Sequence, residues 1–149
     1  MSTVALLDVS VLIALFHSGH VHHDLAHDWF ADNARYGWAS CPITESGLLR
    51  ILGNPSRVDE HVPLPQLIAL LNRFCEHSDH RFWPDAPSIR DAAIFDSQSL
   101  RGPQQLTDVY LLGLAVRNGG RFVTLDQHVP LAAVKGATRT SLEVIAQAG

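Results

Sequence analysis

Residues 106–127 read LTDVYLLGLAVRNGGRFVTLDQ, and this stretch decides the fold class. Leu106, Val109, Leu112, Gly113 and Val116 recur at helical spacing, and Pro103 ahead of them suits a helix N-terminus. Asn118-Gly119-Gly120 ends that helix with residues that tolerate positive φ. Phe122, Val123, Thr124 and Leu125 follow, apolar or β-prone and bounded by Gly and Asp, which predicts a short buried strand. Each half carries one acid. Asp108 shares its helical face with Leu112, Ala115 and Val116, where a carboxylate is costly unless paired or bound to a cation. Asp126 ends the strand, where open α/β sheets place their ligands.

Working outward, Val4-Ala5-Leu6-Leu7 is a continuous apolar run ended by Asp8, the pattern of a buried parallel strand. Ser10 can cap the helix that follows through Val11, Leu12, Leu15 and Phe16. A His-rich loop leads to a helix over residues 22–33, with Leu25, Ala26, Trp29 and Phe30 on its buried side. Residues 37–40 predict a second strand. Pro42 opens a helix in which Glu45, Leu48, Leu49 and Leu52 fall at i, i+3, i+4 and i+7, so an acid again shares a face with leucines. Asn54-Pro55 closes it, and residues 63–65 open another that runs through Leu67, Leu70, Leu71 and Phe74. Arg81-Phe82-Trp83 predicts a third strand, residues 84–99 mix loop with short helix, and residues 139–142 predict an edge strand. Alternating helices and short apolar strands indicate an α/β fold of three layers, α/β/α, around a short parallel central sheet, as one domain over residues 1–149.

Composition narrows the function classes. A chain of 149 residues, 46% hydrophobic and 17% charged, can bury a real core. A net charge of −4 leaves no overall basic footprint, so nucleic acid would be held by a local patch or through metal ions. Arg50, Arg57, Arg73, Arg81 and Arg101 are candidates for such a patch. Cys41 and Cys75 lie far apart, which fits a reducing compartment and argues against a disulfide framework or a zinc–thiolate site. The N-terminal apolar run is broken by Asp8 and lacks a basic lead, so neither a signal peptide nor a membrane span is expected, and the chain reads as cytoplasmic.

The acids then fall into a pattern. Asp8 and Asp126 sit at C-terminal ends of strands, Glu45 and Asp108 in first turns of helices, and a βαβ sheet places these on one rim. Four carboxylates on one rim raise each other's pKa or demand a cation. An all-oxygen acidic site suits Mg²⁺ or Mn²⁺, with waters and a substrate phosphate completing the shell. Such an ion activates water for attack on a phosphodiester. The hydroxyls of Ser10 and Thr124 lie close enough to hold metal-bound waters, though helix-cap and strand-forming roles explain those two residues equally well.

These motifs carry a family resemblance. LLDVSVLIAL around Asp8, H-x-x-A-x-x-W at His23, Ala26 and Trp29, WASCPITESGLLRILGNP around Glu45, and LTDVYLLGLA through TLD at Asp126 occur in order along nearly the whole chain. The sequence resembles PIN-domain ribonucleases, and within them the VapC toxins of bacterial VapBC toxin–antitoxin pairs. The resemblance implies a Mg²⁺-dependent endoribonuclease acting on RNA, usually a homodimer, inhibited by a VapB-type antitoxin that fills the acidic groove with a basic side chain. It implies Asp8, Glu45 and Asp108 as core acids and Asp126 as the more variable fourth. Ser10 stands where Asn is frequent, and Leu125-Asp126-Gln127 replaces the commoner Phe-Asp-Arg.

Rival readings use other residues. His23 and His27 stand at i, i+4, like the first two ligands of a zinc hydrolase, but Asp24 is a carbon short for the usual base. A haloacid-dehalogenase-like phosphatase wants an acid where Ser10 stands. A phospho-receiver module wants paired acids before the first acceptor strand and a late Lys at a strand end, whereas the single Lys is Lys135. An RNA-binding PIN module without catalysis usually lacks one of the acids. Asp24, Asp28, Asp32, Asp59, Asp79, Asp85, Asp91 and Asp96 read as surface or turn residues.

Overall fold

The computed structural model describes residues 3–56 and 62–146, so Arg57 and Asp59 lie outside the described residues. The chain begins with β1 (Ala5–Leu7), α1 (Val9–Phe16), α2 (His23–Asn33), β2 (Trp38–Ser40) and α3 (Pro42–Leu52). It continues with α4 (Leu64–Glu76), β3 (His80–Phe82), α5 (Leu106–Arg117), β4 (Arg121–Thr124) and β5 (Leu142–Val144). The five strands form one sheet in the order β3-β2-β1-β4-β5. Every pairing is parallel.

Strand alternation creates the three layers. Ala5, Leu7, Trp38 and Val123 point to one face, where α1 to α4 supply Val11, Leu12, Leu15, Ala26, Leu48, Leu52, Leu67 and Leu71. Leu6, Ala39 and Phe122 point to the other face, against Val109, Leu112 and Ala115 of α5 and the loop residues Phe95, Val129 and Val134. The expected α/β/α arrangement is thus present. Close approach matters at two glycines: a Cβ on Gly47 would come 2.6 Å from Val9, where α3 crosses α1, and one on Gly113 would come 2.4 Å from the Phe95 ring.

The edges shift from the expected boundaries. β3 starts at His80 rather than Arg81, because its register pairs Trp38 with His80 and Ser40 with Phe82. Residues 139–141 form a 3₁₀ turn, and the edge strand follows at Leu142–Val144. The N-cap of α1 is Asp8, whose side chain accepts from the Val9 amide, and Ser10 lies inside the helix. Strand β4 includes Arg121 and ends at Thr124, so Asp126 stands in the turn beyond it.

Arg121 is the unexpected member of the core, with none of its side chain exposed. Its Nε donates to Glu143 Oε1 at 2.9 Å and an Nη to Asn33 Oδ1 at 3.1 Å, while the other Nη bonds the Thr3 carbonyl. The guanidinium carbon lies 5.8 Å from the Trp29 ring centre, and Trp29 Nε1 donates to Glu143 Oε2 at 2.7 Å. A charge buried this way persists because each guanidinium nitrogen has a partner. Arg121→Ala strands Glu143 and Asn33 and should cost about 3 kcal/mol of stability. Urea unfolding of the variant checks this, and a loss below about 1 kcal/mol would contradict it.

Candidate active site

Asp8 closes β1 at the sheet centre, 7% exposed. Its Oδ1 accepts from the Val9 amide at 2.8 Å; its Oδ2 accepts from Ser10 Oγ at 3.1 Å and Thr124 Oγ1 at 2.6 Å. The Thr124 bond joins the ends of β1 and β4, which are adjacent strands. Ser10 Oγ also accepts from the Leu125 amide at 3.4 Å, and Thr124 Oγ1 from the Asp126 amide at 3.0 Å. Two hydroxyls therefore brace both Asp8 and the turn that carries Asp126. That turn is braced again by the His128 amide, which donates to Asp126 Oδ1 at 2.8 Å.

Asp108, in the first turn of α5, lines one cavity with Asp126. Burial pushes the Asp108 pKa up to about 7, and the charges of Asp8 and Asp126 add to the shift. Asp8 is also raised, by burial first and by Asp126, against three hydrogen bonds that pull it down. Burial is the first cause of both shifts, and the like charge of neighbouring aspartates adds to it. A cavity of about 320 Å³ lined by Gln104, Gln105, Asp108, Asp126, His128 and Pro130 opens beside these acids.

Glu45, expected with the aspartates, is turned aside. Ser40 Oγ donates to its Oε2 at 2.6 Å and meets His80 Nε2 at 2.8 Å. The groups that feel its charge are His80 and Cys75, on the β3 side, while neither Asp8 nor Asp108 does. Three of the expected acids are therefore gathered and the fourth is held toward the sheet edge by a serine five residues upstream. Among the described residues, no group of three or more His, Cys, Asp or Glu side chains stands closed around a metal position. Sequence reasoning missed Ser40 and His80. The serine lies in a strand whose face depends on register, and the histidine reaches it only through β2–β3 pairing.

The histidine pair has another role. His23 Nδ1 lies 2.7 Å from the Ala14 carbonyl and His27 Nε2 3.0 Å from that of Leu15, so both rings bond the end of α1. Those carbonyls would otherwise lack partners at a helix C-terminus. The rings stand 4.3 Å apart. Each ring keeps one nitrogen free, but among the described residues no third ligand joins the pair, so the zinc-hydrolase reading has no site.

The motif order that suggested a family now has independent support. A PIN-domain family model matches residues 5–136. The chain belongs to the PIN-domain family. Its relatives are of VapC type: Ribonuclease VapC44 of Mycobacterium tuberculosis is 43% identical over 141 residues, covering 95% of this chain and 99% of that protein. Ribonuclease VapC39 of the same organism is 41% identical, covering 82% of this chain and 88% of its own. Ribonuclease VapC38 is 39% identical, covering 85% and 87% respectively. This PIN domain is thus VapC-like over nearly its full length, and the phosphatase and phospho-receiver readings fall away.

The Asp108 shift has a sign that can be measured in metal-free protein. Folding raises its pKa from 3.8 to about 7, so between those values the folded chain holds a proton that the unfolded chain has released. Stability from this group is therefore undiminished below about pH 4 and falls as pH rises towards 7. With chelator present, Asp108→Asn should melt above wild type at pH 7.5, and the gain should shrink towards pH 4. A gain independent of pH would show that the charge cluster is not its source.

Proposed function

We propose that this PIN domain is a divalent-metal-dependent endoribonuclease and the toxin of a VapBC-type toxin–antitoxin pair. The observation that carries this reading is the gathering of Asp8, Asp108 and Asp126 on the C-terminal rim of the parallel sheet, with Asp108 pushed up to about 7 by burial and by its acidic neighbours. The donor set fits Mg²⁺, or Mn²⁺ in its place: it is all carboxylate oxygen, and its repulsion is the kind a hard cation relieves. The names of the VapC relatives support RNA as the substrate class.

When bound, Mg²⁺ would orient a water, make it more acidic and supply positive charge to offset that on the phosphate. The chain's own residues do the rest. Asp8 is the fixed ligand, its carboxylate set by the amide of Val9 and the hydroxyls of Ser10 and Thr124. Asp108 is the second ligand, carried on the rigid first turn of α5. Asp126, exposed and set in a turn, is the adaptable outer ligand, and Glu45 is the fourth carboxylate, available once its tie to Ser40 is released. Ser10 and Thr124, already donating to Asp8, keep its oxygens oriented for the ion. Substrate RNA enters at this rim, where Arg101 stands in the loop before α5.

The same acids explain inhibition by a basic partner. An antitoxin that inserts an Arg makes paired hydrogen bonds to two carboxylates and displaces both metal and RNA. The chain acts in the cytoplasm as a homodimer; no helix among the described residues is long and apolar enough to cross a membrane.

Asp8→Asn and Asp108→Asn should each lower Mg²⁺-dependent cleavage of total RNA by at least about a hundredfold while the chain still folds, and Asp126→Asn should lower it less. Near wild-type turnover in Asp8→Asn or Asp108→Asn sinks the assignment. Retained RNA binding with no cleavage by wild type at any Mg²⁺ or Mn²⁺ concentration would instead mark a binding module. The partner is tested with an Arg-bearing peptide of an antitoxin's basic segment. Its affinity should fall at least tenfold against a chain with Asp8, Glu45 and Asp108 all changed to amides, about the worth of one lost charge-assisted bond. Unchanged affinity would place the inhibitor elsewhere on the surface.

A further inference from the structure

Ser40 is fully buried at the end of β2, and its hydroxyl lies between two partners, Glu45 Oε2 at 2.6 Å and His80 Nε2 at 2.8 Å. A serine hydroxyl has one proton. With that proton given to the carboxylate, the histidine must donate, so the chain runs His80 Nε2–H to Ser40 Oγ–H to Glu45 Oε2. Trp38 fixes the imidazole from the side, its ring centre 4.5 Å from that of His80. The sheet order β3-β2-β1-β4-β5 puts this chain on the β3 side of β2, whereas Asp8, Asp108 and Asp126 gather on β1, β4 and α5. Glu45 is thus tethered away from the three aspartates by a built hydrogen-bond path, and not left loose on the rim.

We propose that Ser40 and His80 are positioning residues that hold Glu45 outside the aspartate cluster and so set the affinity of the site for its divalent cation. Drawing Glu45 to the ion requires breaking a charge-assisted hydrogen bond and leaving the proton of the fully buried Ser40 hydroxyl without its acceptor. Removing the tether removes that cost. The inference rests on the metal-dependent reading above.

Mn²⁺ binding to the purified full chain, followed by paramagnetic resonance of the free ion, tests it. Ser40→Ala should bind Mn²⁺ about tenfold tighter than wild type, the ratio expected from one bond of this kind. Ser40→Thr, which keeps the hydroxyl, should restore wild-type affinity. In a Glu45→Gln background Ser40→Ala should have no effect, since the carboxylate it releases is gone. A structural role alone would lower the melting temperature and leave affinity unmoved. Affinity in Ser40→Ala equal to or below wild type overturns the proposal, as does a gain that persists with Glu45→Gln. If Ser40→Ala does not fold, His80→Phe loosens the other end of the path and should give a smaller gain in the same direction; no gain overturns the proposal. A wild-type chain that neither binds Mn²⁺ nor cuts RNA overturns the metal-dependent reading and this one with it. Wild-type binding with Ser40→Ala unchanged overturns the positioning role alone.

Discussion

The bond from Thr124 Oγ1 to Asp8 Oδ2, 2.6 Å long, ties the ends of two adjacent parallel strands, and the arrangement of the rim depends on it. Parallel pairing sets Leu7 beside Val123, so the next residues along, Asp8 and Thr124, emerge together at the carboxyl edge. Asp8 then caps α1, Thr124 supports the amide of Asp126, and Ser10 reaches from α1 to both Asp8 and Leu125. One buried carboxylate thereby orients a strand end, a helix start and a turn. Each neutral hydrogen bond contributes only about 1 kcal/mol net, but leaving Asp8 without them would strand a buried charge at much greater cost.

The two rims of the sheet solve opposite electrostatic problems. At the carboxyl rim the aspartates crowd one another, and burial with that like charge raises Asp108. At the amino rim Arg121 begins β4 with each guanidinium nitrogen bonded to Glu143, Asn33 or Thr3, which contributes stability. The pairing of Arg121 with Glu143 also links β4 to the edge strand β5, beside their parallel backbone pairing. Function and stability are thus segregated along a single strand, with Arg121 at its beginning and Thr124 at its end. A sheet whose ligands collect at one edge can accept strain there only if the other edge is well held.

The residues that carry the chemistry were legible because chemistry and periodicity disagree at them. Asp8 interrupts an apolar run, and Asp108 and Glu45 stand on otherwise apolar helix faces, where the dipole of a helix's first turn favours each acid singly but does not account for several on one rim. The strand and helix types followed from period and punctuation, and the strand boundaries that slipped did so by one to three residues, because pairing decides the ends. Arg121 escaped notice because a charged residue opening a strand ordinarily faces solvent. Its burial depends on Glu143, 22 residues later, and on Asn33, 88 residues earlier.

From the amino acids alone came the alternation of helices with short parallel strands, the one-sided placement of the acids and the family to which the motifs belong, since each is written locally in spacing and residue type. Tertiary structure decided what those acids do with their oxygens. That three aspartates meet while Glu45 is drawn to Ser40 and His80 follows from the register of β2 against β3 and from the rotamer of one long side chain. Neither is encoded within a local window. A hydrogen bond between residues 40 positions apart exists only once the sheet has formed, and a carboxylate on three rotatable bonds goes to the strongest donor that packing leaves within its reach.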